Sequence, residues 1–281
     1  MAEAPQPAAK WTDLGVRSLS AALLIPAVLA DVWVGGIWFN LFVALLAVLV
    51  AHEWTNMVHG RGSAQFALHA AAALGGALLP LEAGIWGAVT AVCLLWAASA
   101  LLAGFQAGPK AAWIYLGVPY AGFPAMAVVL LRADPLYGAV AILWCLAIVW
   151  AADTLAYFAG RGIGGPKLAP VISPKKTWAG LGGAIAGSAA ASALVAAFAG
   201  LPAVATLTLL AGILALFEQA GDLFKSALKR HYGVKDSGNL IPGHGGVIDR
   251  LDGLIAVAVA AAIIGLLRGG MESTGRGLLL W

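Results

Sequence analysis

From Ser226 to Asp252 the chain reads SALKRHYGVKDSGNLIPGHGGVIDRLD, with Asp222 and Lys225 just upstream. Lys225, Lys229, Arg230, Lys235 and Arg250 crowd there with Asp222, Asp236, Asp249 and Asp252. Cations and carboxylates at this density suit a metal-bound polyphosphate: the cations take phosphate oxygens and the carboxylates take the ion. Asp249 and Asp252, at i and i+3, open an apolar run and can face one site if that run is helical. A carboxylate at the end of a membrane helix needs a partner, because desolvated anions are expensive. Arg250 could be that partner structurally; a divalent cation is the sharper reading. Hard oxygen ligands without His or Cys clusters favour Mg²⁺, which binds through a few carboxylates plus phosphate oxygens.

The stretch before this run is amphipathic. Glu218, Asp222, Lys225, Ser226 and Lys229 follow helical spacing and share a face, while Leu223, Ala227 and Leu228 cover the others. Pro242-Gly243-His244-Gly245-Gly246 cannot sustain a helix. It reads either as an ordinary turn or as a loop whose amides approach an anion, which makes Gly245 and Gly246 candidate phosphate contacts. His244 is assigned to positioning or phosphate contact ahead of acid–base work. A second cluster holds Asp153-Thr154, Tyr157, Gly160-Arg161, Lys167 and Ser173-Pro174-Lys175-Lys176-Thr177. Asp153 is expected at the membrane end of a helix, where an acid is a functional candidate. Lys175 and Lys176 set topology against anionic lipid or, with the Ser173 and Thr177 hydroxyls, cradle a phosphate. His52-Glu53 reads as a polar helix terminus or as a support for the site.

What surrounds these clusters is apolar. The 281 residues are 62% hydrophobic and 10% charged, where a soluble protein carries about 25% charged residues. Mean hydropathy is +0.91. The class is therefore all-α: a polytopic integral membrane helical bundle of about nine transmembrane helices. The candidate spans are Leu19–Val34, Trp38–His52, Phe66–Leu81, Ile85–Leu102, Ala112–Leu131, Leu136–Tyr157, Trp178–Phe198, Leu201–Phe217 and Leu251–Leu267, against a requirement of roughly 17–25 residues per span. The N-terminal apolar run reads as a retained anchor, since no convincing small-residue cleavage site follows it. Cys93 and Cys145 lie in apolar runs and read as buried thiols. No internal repeat or soluble domain stands out. Residues 1–281 form one membrane-embedded domain, with 1–150 mainly an N-terminal helical bundle and 151–281 a catalytic portion bearing two polar loops.

Nine spans place all of the 16 Lys and Arg residues except Arg132, Arg268 and Arg276 on one side. The positive-inside rule makes that side cytoplasmic, together with the N-terminus and both polar loops. Nucleotides are found on that face.

From Ser226 to Asp252 the chain resembles the CDP-diacylglycerol synthase (phosphatidate cytidylyltransferase) family. The family pattern runs Ser-x-apolar-Lys-Arg, four residues, Lys-Asp-x-small, two residues, apolar-Pro-x-His-Gly-Gly-apolar-x-Asp-Arg-apolar-Asp, and every fixed position is matched. Upstream, Ala152-Asp153-Thr154, Ala156-Tyr157, Gly160-Arg161 and Ser173 to Trp178 are also similar to it. Before about Trp150 the likeness rests mainly on hydropathy and His52-Glu53-Trp54. Two positions depart: Ala179 and Lys225 stand where family members often carry Glu.

The resemblance implies the reaction of CTP with phosphatidate to give CDP-diacylglycerol and pyrophosphate. It makes Asp222 and Asp249 the Mg²⁺ ligands, with room for a second cation, and implies a homodimer; no nucleic acid partner is expected. A phosphate monoester is largely dianionic near neutral pH, its second pKa being about 6, so the lipid phosphate needs no activated side chain. Lys229, Arg230, Lys235 and Arg250, flanked by Asp236 and Ser226, are assigned to the triphosphate. Arg161, Lys167, Lys175 and Lys176 are assigned to the phosphatidate headgroup, Asp252 is expected as a further ligand of the metal, and Asp153 as a partner behind the ligands. Three alternatives stay open: a cytidylyltransferase for another lipid phosphate, a secondary transporter, and a purely structural membrane scaffold, which gives no reason for the concentrated charges. Against the transporter, the charges gather at one face and no repeat is evident.

Overall fold

The computed structural model describes residues 9–59, 64–105, 111–241 and 245–281. The elements in order are α1 (Ala9–Val34), α2 (Gly36–His59), α3 (Ala64–Glu82), α4 (Gly84–Phe105), α5 (Ala111–Ala133), α6 (Gly138–Gly162), β1 (Lys167–Ala169), β2 (Ser173–Thr177), α7 (Trp178–Phe198), α8 (Val204–His231), α9 (Ile248–Gly269) and α10 (Thr274–Leu279). Long runs of Ala, Leu and Val become helices because only intrahelical bonding satisfies the backbone where water is absent.

Seven of the nine expected spans fall wholly within a helix; Leu136–Tyr157 and Leu201–Phe217 begin two and three residues before α6 and α8. Among the described residues, seven helices are long and apolar enough to cross a membrane. The other two expected spans correspond to shorter apolar stretches, Ala22–Val34 and Ala64–Pro80. The expected nine thus become seven full-length spans and two short ones. The cause lies in the sequence: the start of α1 is polar, and α3 carries Gln65 and His69 near one end and Pro80 near the other.

Burial is graded across the bundle. The membrane-length stretch of α5 is 67% buried, that of α4 only 17%. The centre is therefore α5, with Phe39, Val43 and Trp54 of α2, Trp144 and Ile148 of α6, and Val257 and Ala261 of α9 around it. Leu101, Phe198, Leu209 and Leu267 are exposed on the outside. Such an apolar exterior suits lipid and would be a liability in water.

Small residues draw α6 and α7 together. A side chain at Gly183 would stand 2.5 Å from the Leu155 carbonyl oxygen, and one at Gly187 would stand 2.7 Å from that of Ala151. Buried polar groups reinforce the seam: Ser188 Oγ donates to the Ile148 carbonyl at 2.9 Å, and Trp144 Nε1 donates to Ser192 Oγ at 2.8 Å. Close approach of small residues is the usual basis of helix association in membranes.

The bundle has two polar ends of different character. At one, Arg132 donates to the carbonyls of Val32 and Trp33, closing the α1–α2 turn. Gly35 (φ +65°) makes that turn, and a side chain there would collide with the Arg132 guanidinium. Asp134 accepts from the Arg276 backbone amide at the same end. The opposite end collects the C-terminus of α2, the N-termini of α5 and α9, the C-terminus of α8, and the hairpin.

That hairpin corrects the expected loop after α6. Here β1 and β2 pair antiparallel, with Lys167 opposite Thr177 and Ala169 opposite Ser173. Thr177 then caps α7, its hydroxyl accepting from the Gly180 amide at 3.0 Å.

The α6–α7 seam makes a prediction. Gly187→Val should lower stability by about 1–3 kcal/mol through overpacking. Gly182→Ala, where no atom lies within 4 Å of the added carbon, should leave it unchanged or raise it by roughly 0.5–1 kcal/mol. Thermal unfolding in detergent reads both; equal behaviour of the two variants would refute the seam.

Candidate active site

The site begins with a length mismatch. Helix α8 has 28 residues, about 42 Å at 1.5 Å per residue, against a hydrocarbon layer of about 30 Å. Its last turns therefore extend beyond the apolar layer. The sequence ends a span at Phe217 and gives the polar stretch after it helical spacing; the structure carries both as one helix, α8. Asp222, Lys225 and Lys229 then project from one face of a rigid rod.

Asp249 and Asp252 lie in the first turns of α9 and meet that face. Lys225 Nζ lies 2.8 Å from Asp222 Oδ1, 2.6 Å from Asp252 Oδ2 and 3.7 Å from Asp249 Oδ1. Lys229 Nζ donates to Asp249 Oδ1 at 2.6 Å. From the hairpin, Lys176 Nζ reaches Asp222 Oδ2 at 2.7 Å and also donates to Gln219 Oε1. On β2, Lys176 turns inward while Lys175 is exposed. The chain of contacts continues inward: Gln219 Nε2 donates to Glu218 Oε2 at 2.7 Å, and Glu218 adjoins Asp153 of α6.

A second set of contacts fixes α9. Its N-cap position is Val247, whose side chain cannot cap. Glu53 of α2 does this work from outside. Its carboxylate accepts from the Val247 amide at 2.8 Å and the Ile248 amide at 2.9 Å. An anion at a helix N-terminus also meets the positive end of the helix dipole. Ser237 joins this anchor to the cluster: its amide donates to Asp249 Oδ2 at 2.9 Å. Its hydroxyl lies 3.0 Å from both Asp249 Oδ2 and Glu53 Oε2, and one hydroxyl proton serves one of them at a time.

The loop before α9 is pinched by two reciprocal backbone bonds between Ile241 and Gly245, of 3.0 and 3.1 Å. Gly245 sits at φ +81°, which favours glycine. Gly246 is buried, and a side chain there would collide with Ser237 Oγ and stand 2.6 Å from Glu53 Oε2. Its lack of a side chain is required by packing. His244, Pro242 and Gly243 lie outside the described residues.

The remaining predicted residues sit around this cluster. Among the described residues no carboxylate pairs with Arg161, whose Nη1 donates to the Tyr157 hydroxyl at 3.0 Å. Lys167, Arg230, Lys235, Asp236 and Arg250 are exposed, while Ser173 and Ser226 are half-buried. The structure thus gathers Asp222, Asp249, Asp252, Lys229, Lys176 and, one step away, Asp153. The cations assigned to the phosphates lie mostly outside the ion-paired centre.

The donor set suits a hard divalent cation, consisting of carboxylate oxygens with no thiolate or imidazole among them. Among the described residues, no three acidic, His or Cys side chains surround a common gap. At the point of convergence stands Lys225 Nζ. The arrangement therefore favours positive charge at that point, and a metal would draw on oxygens that lysines now hold.

Residues 15–267 match the profile of the cytidylyltransferase family. The chain belongs to that family. It is 40% identical over 256 residues to the phosphatidate cytidylyltransferase of Brucella abortus biovar 1 (strain 9-941), covering 90% of this chain and 94% of that relative. It is 36% identical over 250 residues to the phosphatidate cytidylyltransferase of Staphylococcus haemolyticus (strain JCSC1435), covering 86% and 95%. The match includes α2, and so takes in Glu53 along with the charged C-terminal part.

Sequence reasoning left Gln219 and Ser237 unassigned, and for Glu53 it kept two readings. Helical spacing put Glu218 on the charged face without a task. The signal for Glu53 was present: an acid at the end of an apolar run must find a partner. Nothing in the sequence identified a partner 194 and 195 residues away.

This anchor can be tested. Glu53→Ala leaves the Val247 and Ile248 amides without their acceptor, at about 1–3 kcal/mol for each buried donor. Glu53→Gln, which keeps an accepting oxygen, should lose less. Melting in detergent should rank wild type above Gln above Ala; wild-type stability of the Ala variant would remove Glu53 from the site's support.

Proposed function

We propose that this chain transfers the cytidylyl group of CTP to phosphatidate, giving CDP-diacylglycerol and pyrophosphate. The observation that carries this reading is the interleaved cluster of Asp222, Asp249 and Asp252 with Lys176, Lys225 and Lys229 at one end of a membrane bundle. A site for a membrane-borne phosphate and a soluble triphosphate must lie at that level. The names of the relatives support the choice of both substrates.

In the proposed reaction a phosphate oxygen of phosphatidate attacks the α-phosphorus of CTP. A new P–O bond forms as the bond to the β-phosphate oxygen breaks, and that electron pair leaves with pyrophosphate. No side chain need serve as nucleophile. The barrier is the approach of two anions, so rate enhancement comes from positioning and charge neutralisation. Mg²⁺, held by Asp222 and Asp249, would supply the divalent charge that neutralises phosphate oxygens. Lys176 and Lys229 lie at the edge of the cluster and can turn to phosphate. Exposed Arg230, Lys235 and Arg250 line the approach for the triphosphate. Lys167, Lys175 and Arg161, on the hairpin side, are placed for the lipid headgroup. Asp252 and Asp153 hold the arrangement from within.

On this reading the site faces the cytoplasm from a bacterial inner membrane. The cationic end of the bundle favours that orientation through the positive-inside rule. Residues 151–281 supply the reacting groups in this reading, with Glu53 as a support from the N-terminal half.

Purified protein given CTP, Mg²⁺ and a panel of lipid phosphates should yield a liponucleotide of the mass expected for phosphatidate. Product from a different lipid phosphate alone would transfer the assignment to that substrate. Asp249→Asn keeps shape and loses charge; it should cut turnover by at least about 100-fold while the protein still folds. Near-normal turnover at saturating Mg²⁺ would refute the role of Asp249.

A further inference from the structure

Lys225 differs from the other cations of the cluster. It is 8% exposed, and its ammonium touches three carboxylates from two helices: Asp222 at 2.8 Å, Asp252 at 2.6 Å and Asp249 at 3.7 Å. Lys176 and Lys229 each pair with a single carboxylate and approach from the rim. An ammonium is a compact point charge with three donors and no acceptor. Three carboxylate groups converging on one compact charge is the environment that acidic side chains provide for a bound cation. Tethering removes any need to recruit that charge from solution.

We propose that the Lys225 ammonium is a resident cation of the site and holds the place of a second metal ion, so that the cluster accepts one divalent ion fewer than its carboxylates would otherwise take. The proposal rests on the cytidylyl-transfer reading for the reaction it serves, but the ion count does not depend on that reading. A mobile ion at this point would be lost to chelators and would vary with supply. A lysine fixed on α8 keeps Asp222, Asp249 and Asp252 together before any ligand arrives. The divalent ion that binds then draws on oxygens facing the rim, where Lys176 and Lys229 are free to exchange a carboxylate for a phosphate.

The test is equilibrium binding of Mn²⁺ to the purified full chain in detergent, without nucleotide or lipid, with free Mn²⁺ counted by electron paramagnetic resonance. Lys225→Gln removes the charge and should bind one more Mn²⁺ per chain than wild type, or bind Mn²⁺ at least tenfold more tightly. Lys225→Arg keeps the charge and should match the wild-type count. Equal count and affinity in wild type and Lys225→Gln would overturn the proposal, as would an added ion in Lys225→Arg. Thermal unfolding guards against a folding defect. Mn²⁺ should raise the melting temperature of Lys225→Gln more than that of wild type. A variant that stays unfolded or equally unstable with and without Mn²⁺ would make Lys225 a structural pin and overturn the proposal. Liponucleotide synthesis by the wild type is measured in parallel: its absence would sink the cytidylyl-transfer reading and leave the ion count standing.

Discussion

Asp222, Asp249 and Asp252 can share one corner of an apolar bundle only because an ammonium stands among them. Two like charges about 4 Å apart repel by about 4 kcal/mol at an effective dielectric of 20. Three carboxylates without a counter-charge would drive α8 and α9 apart. Lys225 reverses the sign of that interaction, and Lys176 and Lys229 complete it at the edges. Removing one partner from such a buried set is far more damaging than the net worth of the pair suggests, because the orphaned charge has nowhere to go. The cluster therefore holds α8, α9 and the hairpin together as well as presenting charge.

The rest of the bundle brings these groups to one level. Helix α8 is long enough to emerge from the apolar layer without a break, and α9 begins where α8 ends. Between them the chain must turn back, and the Ile241–Gly245 pinch and the Glu53 anchor hold that turn. Phe224, one residue from Lys225, lies on a different face of α8, with its ring centroid 6.3 Å from that of Trp54 and 5.7 Å from that of Tyr120. One face of α8 is thus fixed by aromatic packing against α2 and α5 while another carries the charges. Lys176 is fixed less directly. Its strand leads into α7, which the glycine seam binds to α6. Groups mounted on rigid elements keep their mutual geometry better than groups on loops.

Much of this was legible because charge is scarce in the chain. Asp222, Lys229, Asp249 and Asp252 stood out against an apolar background, and helical spacing put them on common faces. Lys225 was visible too, as one of the clustered cations and as a departure from a family pattern; its three contacts give it a distinct place among them. Glu53 was harder. An acid beside a histidine at the end of an apolar run does not disclose that it caps a helix far along the chain. Ser237 and Gln219 carried no signal, since neutral polar residues near a charged segment are common. The length of two spans was harder to read for a related reason. Hydropathy counts apolar residues, but α1 and α3 owe their shorter apolar stretches to the polar residues and proline at their ends. Gly246 reads from sequence as part of an ordinary turn or of an anion-contacting loop, and the fold adds that its missing side chain makes room for Ser237 and Glu53.

The pairing of lysines with carboxylates also constrains how a nucleotide can enter, on the proposed reading. A triphosphate cannot simply take Lys176 and Lys229 from Asp222 and Asp249, since that would add anions and strip counter-charge in the same step. The exchange is favourable only if positive charge arrives with the nucleotide. Triphosphates travel with divalent cations, so the incoming ligand brings the charge that the released carboxylates need. Lys225 makes this exchange possible without loss of structure, because it holds Asp222 and Asp252 while the rim lysines move. A site built this way discriminates against bare anions at its centre and admits those that come already part-neutralised. On the same reading, the exposed cations outside it, Arg230 and Lys235 among them, would act at longer range on how fast such ligands arrive.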